Sequence, residues 1–260
     1  MELYIIRHGQ TFSNIKNIIQ GQTEGELTEL GKKQASLLGK KLSKIKFNEI
    51  YCSDLNRAKQ TLEQILKESN FEKPNIIYTE KLREINVNTL EGHPSEEEDK
   101  IRYSGEIKYR ETRTGKNDES FIDVFYRTGE VIDNIIKKYL DNNYDSGVNK
   151  DNYLEINRNQ GEIEENVLCD MIKKGELTIN NVDDKDFIKI LIVMHAGALW
   201  EVINNFLYRM NKKLVRRINW ENTALNKILI YPKDNNKGVK NNNDLNISFN
   251  IFNDSSHLKE

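Results

Sequence analysis

Two histidines in this sequence each stand close behind an apolar run. His8 follows Leu3–Ile6 within the tripeptide RHG, and His195 follows Ile188–Met194. A neutral imidazole is a good nucleophile toward phosphorus, and the neighbouring Arg7 can bind the oxygens of an anionic group. The glycine after His8 admits close approach of the backbone. The pattern favours attack on a small anion, although RHG taken alone is also compatible with a loop that merely follows a strand.

The predicted elements explain why these histidines belong together. Short apolar runs that are typical of buried strands alternate with segments of helical periodicity, and Ile188–Met194 is the most apolar run. This alternation predicts an α/β fold, a three-layer αβα sandwich with a mainly parallel central sheet. Ligands of such sheets bind at the carboxyl ends of strands, where both histidines lie. Thr28 is expected to cap one helix, and Ser53 and Asp54 are expected to cap the helix after the second strand.

Length and composition limit the other classes of function. A chain of 260 residues fits one large domain over 1–260, with a surface insertion at about 141–186 that is rich in Asn, Asp and Glu. The net charge of -2 argues against nucleic acid or acidic membranes as partners. No run approaches the roughly 20 apolar residues of a membrane span, and the N-terminus does not resemble a signal peptide. We therefore expect a soluble cytoplasmic protein whose self-association is left open.

Metal and cofactor sites are not expected either. The four histidines are dispersed, and no His-x-x-x-His pair or carboxylate cluster at metal-ligand spacing appears. No glycine-rich nucleotide loop is present in the sequence. The two cysteines lie far apart, and Cys52 is predicted to be a buried thiol.

Several motifs follow one another in a fixed order. They are LYIIRHGQTFSN, LTELGKKQA, YCSDLNRAKQT, KLREINVNTLEG, NDESFIDVFYR and LIVMHAGALWEVI, and the chain closes with NDSSHL. Together they resemble the histidine phosphatase superfamily of phosphoglycerate-mutase-like enzymes, over most of the chain except about residues 141–186. Ordered motifs at sensible separations are far more specific than any single one.

The resemblance implies a role for each matching charged position. His8 would be the phosphorylated nucleophile, with Arg7 and Arg57 holding the phosphoryl oxygens. Arginine offers two parallel donors, and Arg57 lies in the first turn of a helix, where an anion is already favoured. His195 would stabilise the phosphoryl charge and orient the nucleophile. Glu84 would protonate the leaving oxygen, with the neighbouring Glu91 as its alternative in sequence.

The resemblance also bears on uncharged positions. Asn14 falls where the family places an amide that contacts phosphate, and Asn222 matches a recurrent asparagine near the pocket. The family usually has Ser-His-Gly where this chain has MHA, but Ala196 keeps a backbone N–H that can donate to phosphate. His93 and His257 are interpreted as ordinary loop and tail residues.

The leading hypothesis is a phosphomonoester hydrolase that acts on a small soluble phosphorylated metabolite through a phosphohistidine. The alternative is a cofactor-dependent phosphoglycerate mutase-type enzyme, which returns the phosphoryl group to a bound intermediate. A further alternative is a non-catalytic scaffold that binds a phosphorylated ligand. The stretch after Glu84 lacks the long Arg- and Pro-containing segment of the mutases, which favours the hydrolase.

Overall fold

The structure is a computed structural model that describes residues 1–68, 74–103, 110–148, 161–178, 187–234 and 236–259. Its strands are β1 (Glu2–Arg7), β2 (Glu49–Ser53), β3 (Asn75–Thr79), β4 (Glu162–Ile163), β5 (Lys189–Met194), β6 (Leu214–Val215), β7 (Leu225–Pro232) and β8 (Leu245–Asp254). Its α-helices are α1 (Phe12–Ile15), α2 (Glu29–Leu42), α3 (Asn56–Lys67), α4 (Ser95–Tyr103), α5 (Phe121–Tyr139), α6 (Glu165–Lys173) and α7 (Ala196–Arg209). Single 3-10 turns lie at Glu80–Leu82, Asn88–Leu90, Asn242–Asp244 and Ser256–Lys259.

Six strands form the main sheet, in the order β3-β2-β5-β1-β7-β8. The first four of these are parallel neighbours, whereas β7 pairs antiparallel with β1, and β8 antiparallel with β7. The register sets Arg7 opposite Met194 at the carboxyl ends of β1 and β5. Because these two strands end at the same edge, His8 and His195 leave the sheet side by side. The predicted α/β architecture with a mainly parallel sheet is confirmed.

Helices cover both faces of the sheet. Along β1, Ile6 packs with Leu38 of α2 and Leu62 of α3, whereas Ile5 belongs to the core under Phe125 of α5 and Ile203 of α7. This alternation follows from the two-residue period of a strand, which sends successive side chains to opposite faces. The sheet is therefore buried on both sides, as expected for parallel strands with continuous apolar sequences.

Helix starts show where local sequence rules hold and where they fail. The Thr28 side chain accepts a hydrogen bond from the N–H of Gly31 at 3.0 Å, which confirms the predicted cap of α2. The predicted cap of α3 is wrong, because its N-cap is Leu55, and the first N–H of the helix, that of Asn56, donates to Glu24 instead. Ser53 instead bonds His195, and Asp54 instead pairs with Arg83. Longer-range partners compete successfully for both side chains.

The predicted insertion at 141–186 is described only in part. Residues 149–160 and 179–186 of it lie outside the described residues. The described part holds α6 and the short strand β4, which pairs parallel with β6 away from the main sheet. The division into one domain with an insertion stays a prediction. Among the described residues, no helix is long and apolar enough to cross a membrane.

Candidate active site

His8 lies directly beyond β1 and is 2 % exposed. Its Nδ1 lies 2.8 Å from the carbonyl oxygen of Gly9, and a carbonyl can only accept, so Nδ1 carries the proton. In the neutral ring the lone pair is therefore on Nε2. Burial, then the charges of Arg57 and Arg7, hold the pKa of His8 well below its usual range. The ring is thus neutral at neutral pH, with Nε2 as its nucleophilic atom.

The backbone around His8 is fixed by contacts with two helices. The N–H of Gly9 donates to Thr61 Oγ1 at 3.0 Å, and that hydroxyl donates to the carbonyl oxygen of Arg57 at 2.7 Å. A Cβ on Gly9 would lie 2.6 Å from the carbonyl oxygen of Gly31 in α2. The glycine of RHG therefore serves a close approach between two parts of the protein backbone.

His195 is fully buried between two partners. Arg57 Nε donates to His195 Nδ1 at 3.1 Å, and His195 Nε2 lies 2.7 Å from Ser53 Oγ. A guanidinium has no acceptor, so Nδ1 holds the lone pair and Nε2–H donates to Ser53. The imidazole rings of His8 and His195 have their centroids 5.2 Å apart, tilted by 55°. Burial, together with the charge of Arg57, holds the pKa of His195 well below its usual range.

Arg57 is 1 % exposed and is anchored by its surroundings. Besides its bond to His195, Nη1 donates to the carbonyl oxygen of Thr23 and Nη2 to that of Gly21, each at 2.8 Å. Burial lowers the pKa of Arg57 to about 10, so the group stays charged at neutral pH. Three of its five N–H donors are thereby used, and two remain for a ligand.

Arg7 is the second cation beside the nucleophile. One of its terminal nitrogens donates to the carbonyl oxygen of Trp220. Its Nε is buried and has no hydrogen-bond partner among the described residues. Burial lowers the pKa of Arg7, and the charge of Glu84 opposes that effect. A buried donor without a partner is costly, and a bound anion would satisfy it.

Glu84 lies at the N-terminus of α7. Its carboxylate accepts from the N–H groups of Ile85 at 2.9 Å and of Gly197 and Ala198 at 3.1 Å each. A Cβ on Gly197 would lie 2.6 Å from Glu84 Oε1, so any other residue there would require the Glu84 carboxylate to shift. Glu91, the alternative carboxylate, accepts from the N–H of Gln22 and is not among the residues that line the cavity.

The uncharged candidates also reach the site. Asn14 Oδ1 accepts from the N–H of Thr11 at 3.0 Å and from Asn222 Nδ2 at 3.3 Å, which leaves Asn14 Nδ2 as the donor of that amide. Ala196 is the first residue of α7, so its N–H has no carbonyl one turn earlier to bind. Asn14, Ala196 and Asn222 all line the cavity.

The candidate residues surround one cavity of about 480 Å³. Arg7, His8, Arg57 and Glu84 line it, and both polar side chains such as Ser95 and apolar ones such as Trp220 complete the lining. His195 lies behind this wall, where it contacts Arg57. The negative charge of Glu84 partly offsets the positive charges of Arg7 and Arg57. These three residues together give the cavity a net positive charge that suits a phosphate. Within the described residues, no three His, Cys, Asp or Glu side chains form a group that could hold a metal ion.

Several contributing residues were missed in the sequence. Thr61 and Ser53 lie in the motif YCSDLNRAKQT, but their side-chain partners could not be read from it. Arg127 donates to the carbonyl oxygen of Glu84 at 2.9 Å and pairs with Glu119, and so fixes the segment that carries Glu84. His257 was interpreted as a tail residue, but it is 3 % exposed and contacts Thr223. His257 lies in NDSSHL, one of the motifs that carry the family resemblance, and that motif could have indicated a structural role for it.

Comparisons with known proteins identify the family of the chain. The profile of the histidine phosphatase superfamily (branch 1) matches residues 3–144. The chain is 36 % identical to a broad-specificity phosphatase from Saccharomyces cerevisiae over 125 residues, which cover 47 % of this chain and 54 % of that protein. It is 43 % identical to the fructose-2,6-bisphosphatase TIGAR from Bos taurus over 97 residues, 36 % of each chain. The matched stretches thus span about half of the yeast protein and about a third of the bovine one.

Solved structures share the whole fold. A phosphoglycerate mutase from Bacillus anthracis has a TM-score of 0.65 at 21 % identity, with 100 % of this chain and 95 % of that chain covered. A mycobacterial glucosyl-3-phosphoglycerate phosphatase has a TM-score of 0.62 at 18 % identity, with 97 % and 98 % covered. At these identities the likeness extends to the architecture alone.

Proposed function

Because the chain belongs to branch 1 of the histidine phosphatase superfamily, we propose that it hydrolyses small phosphomonoesters through a phosphohistidine on His8. One observation carries the proposal. The neutral His8 ring has its Nδ1 occupied by Gly9, and it lines a cavity together with Arg7 and Arg57. A nucleophilic Nε2 beside two cations is what transfer of a dianionic phosphoryl group requires.

In the first step, His8 Nε2 attacks phosphorus and forms the N–P bond while the ester P–O bond breaks. The electron pair goes to the leaving oxygen, which takes a proton from Glu84 in its carboxylic acid form, and Glu84 becomes a carboxylate. In the second step, water attacks the phosphohistidine, Glu84 accepts a proton from it, and the N–P bond breaks. Inorganic phosphate leaves, and His8 returns to its neutral form.

The cations act on the charge that develops on the phosphoryl oxygens. Arg7 Nε and the two remaining N–H groups of Arg57 are the donors, and the N–H of Ala196 and the amide of Asn14 are placed to add to them. His195 receives a hydrogen bond from Arg57 and so fixes the plane of that guanidinium. Positioning and charge stabilisation supply most of the catalysis in such transfers.

The proposed substrates are small phosphorylated metabolites. The relatives named above include a broad-specificity phosphatase and a fructose-2,6-bisphosphatase, which supports this class. Ser95 and Glu98, both polar, line the cavity and come from the stretch after Glu84. Because this stretch brings polar side chains to the cavity, it is not expected to exclude water from a phosphohistidine, and this supports hydrolysis over return of the group to a bound intermediate. A cytoplasmic location and the state of self-association stay predictions.

The proposal is tested by phosphate release and by trapping of the phosphoenzyme. The wild type should release phosphate from an aryl phosphate and give a base-stable phosphoprotein after rapid quenching. His8→Ala should lose both while it remains folded, since the described residues that line the cavity include no second histidine. His93→Ala is the matched control and should retain both, because the His93 side chain is half-exposed and pairs with Glu97. Equal labelling of the His8→Ala variant would refute the proposal.

The same preparation distinguishes the mutase alternative. A coupled assay should detect no stimulation of 3-phosphoglycerate to 2-phosphoglycerate conversion by 2,3-bisphosphoglycerate. If mutase turnover exceeds phosphate release by orders of magnitude, the mutase takes the place of the hydrolase. Absence of any turnover together with tight phosphate binding would indicate the scaffold.

A further inference from the structure

Thr223 has a backbone conformation that a threonine rarely adopts. Its φ of 58° is left-handed, where a β-branched side chain is strained. Its N–H lies 3.4 Å from the carbonyl oxygen of His8, and Nδ2 of the preceding Asn222 donates to the same oxygen at 3.2 Å. A strained conformation of this kind persists only where the surrounding contacts hold it. The strain therefore lies next to the backbone of the nucleophile.

The contact that holds Thr223 comes from the C-terminal turn Ser256–Lys259. Thr223 Oγ1 lies 2.7 Å from the carbonyl oxygen of Asn222 and 2.9 Å from His257 Nε2. Because a carbonyl only accepts, the hydroxyl donates to Asn222 and accepts from His257 Nε2–H. The His257 bond thus closes a chain of contacts from the C-terminal turn to His8.

His257 is kept in the neutral form, with its proton on Nε2. Its Nδ1 is buried and has no hydrogen-bond partner among the residues that the structure describes. Burial, then the charge of Lys41, lowers its pKa to about 4, with Asp254 opposing the change. Lys41 itself bonds Asp254 at 2.5 Å and Ser256 Oγ at 2.7 Å, which fastens the turn to α2 independently of His257.

We propose that His257 is a positioning residue for the nucleophile, which holds the backbone of His8 in place through Thr223 and Asn222. The inference rests on the proposed function, because it assigns His257 a part in phosphoryl transfer at His8. A shift of the His8 backbone moves Nε2 relative to Arg7 and Arg57, and small misplacements of reacting groups have large effects on rate.

The test compares His257→Leu, His257→Gln and Lys41→Met by kinetics with an aryl phosphate and by thermal unfolding. Leucine removes the N–H donor, whereas the amide of glutamine restores a donor near the position of Nε2. We expect kcat to fall about tenfold in His257→Leu, equivalent to about 1.4 kcal/mol, with KM little changed. His257→Gln should recover most of that loss. Lys41→Met should lower the melting temperature and lower kcat less than His257→Leu does, since it loosens the turn but keeps the N–H donor of His257.

A second variant tests the strain itself. Glycine adopts a positive φ at no steric cost, so Thr223→Gly should keep Asn222 in place without help from His257. In the Thr223→Gly enzyme, adding His257→Leu should cause almost no further loss of kcat. If the two substitutions acted independently, their fold losses in kcat would multiply. The inference would be overturned if the kcat losses of the two single variants multiplied in the double variant. It would also be overturned if His257→Leu lost stability but kept its kcat.

An activity-free measurement separates failure of this inference from failure of the proposed function. If the wild type releases no phosphate, the proposed function fails. A crystal structure of His257→Leu then decides the inference. Departure of Thr223 from the left-handed region, with loss of the Asn222–His8 bond, supports the positioning role, and an unchanged conformation overturns it.

Discussion

Replacement of Ser53 by alanine should slow the reaction although Ser53 does not line the cavity. The Ser53 hydroxyl accepts from His195 Nε2–H, and both residues are fully buried. The variant leaves a buried N–H without a partner, which costs roughly 1–3 kcal/mol. The ring can escape part of this cost by turning, and it then gives up the 3.1 Å bond from Arg57. A loosened guanidinium should lower kcat by about ten- to a hundredfold, or about 1.4–2.7 kcal/mol.

The assay measures kcat and KM with an aryl phosphate beside urea unfolding. Thr128→Val is the matched control, because it removes another fully buried hydroxyl, one that bonds only within α5. Both variants should lose stability, but only Ser53→Ala should lose kcat. A Ser53→Ala enzyme whose kcat stays within about twofold of wild type, with the same stability loss as the control, would refute the role given to Ser53.

Glu84→Gln should reduce kcat for alkyl phosphates at least about tenfold more than for p-nitrophenyl phosphate, because an aliphatic alkoxide needs a proton as it leaves. Equal losses would mean that Glu84 is only structural. Vanadate should inhibit competitively. EDTA should leave turnover unchanged, since Arg7 and Arg57 already supply positive charge. Loss of activity in EDTA and its restoration by added magnesium would contradict this. Burial holds the pKa values of His8 and His195 below the usual 6.5, so below that pH the unfolded chain binds more protons and stability falls as pH falls. Each histidine contributes up to about 1.4 kcal/mol per pH unit to the fall in the free energy of unfolding. Denaturant unfolding between pH 7 and pH 5 should therefore show a smaller loss of that free energy in His8→Asn than in the wild type.

The sequence alone was sufficient to predict the sheet and the place of its two histidines. Apolar runs and helical periodicity are local properties, and the right-handed parallel arrangement that follows from them brings strand ends to one edge. The positions of His8 and His195 in such runs therefore implied that they are neighbours, and the register of β1 and β5 places them so. The family resemblance extended this prediction to Arg57 and Glu84, which the structure also places at the cavity.

Only the tertiary structure decided which partner each polar side chain takes. Ser53 was expected to cap α3, but its hydroxyl lies 2.7 Å from a histidine 142 positions away, and the N-cap of α3 is Leu55. His257 was interpreted as a tail residue, yet it is buried against the strained Thr223. A hydroxyl or an imidazole can form hydrogen bonds with many different groups. Spacing in the sequence indicates only which of those groups are close along the chain. The choice among distant partners depends on which of them packing brings within about 3 Å, because a hydrogen bond weakens steeply beyond that distance.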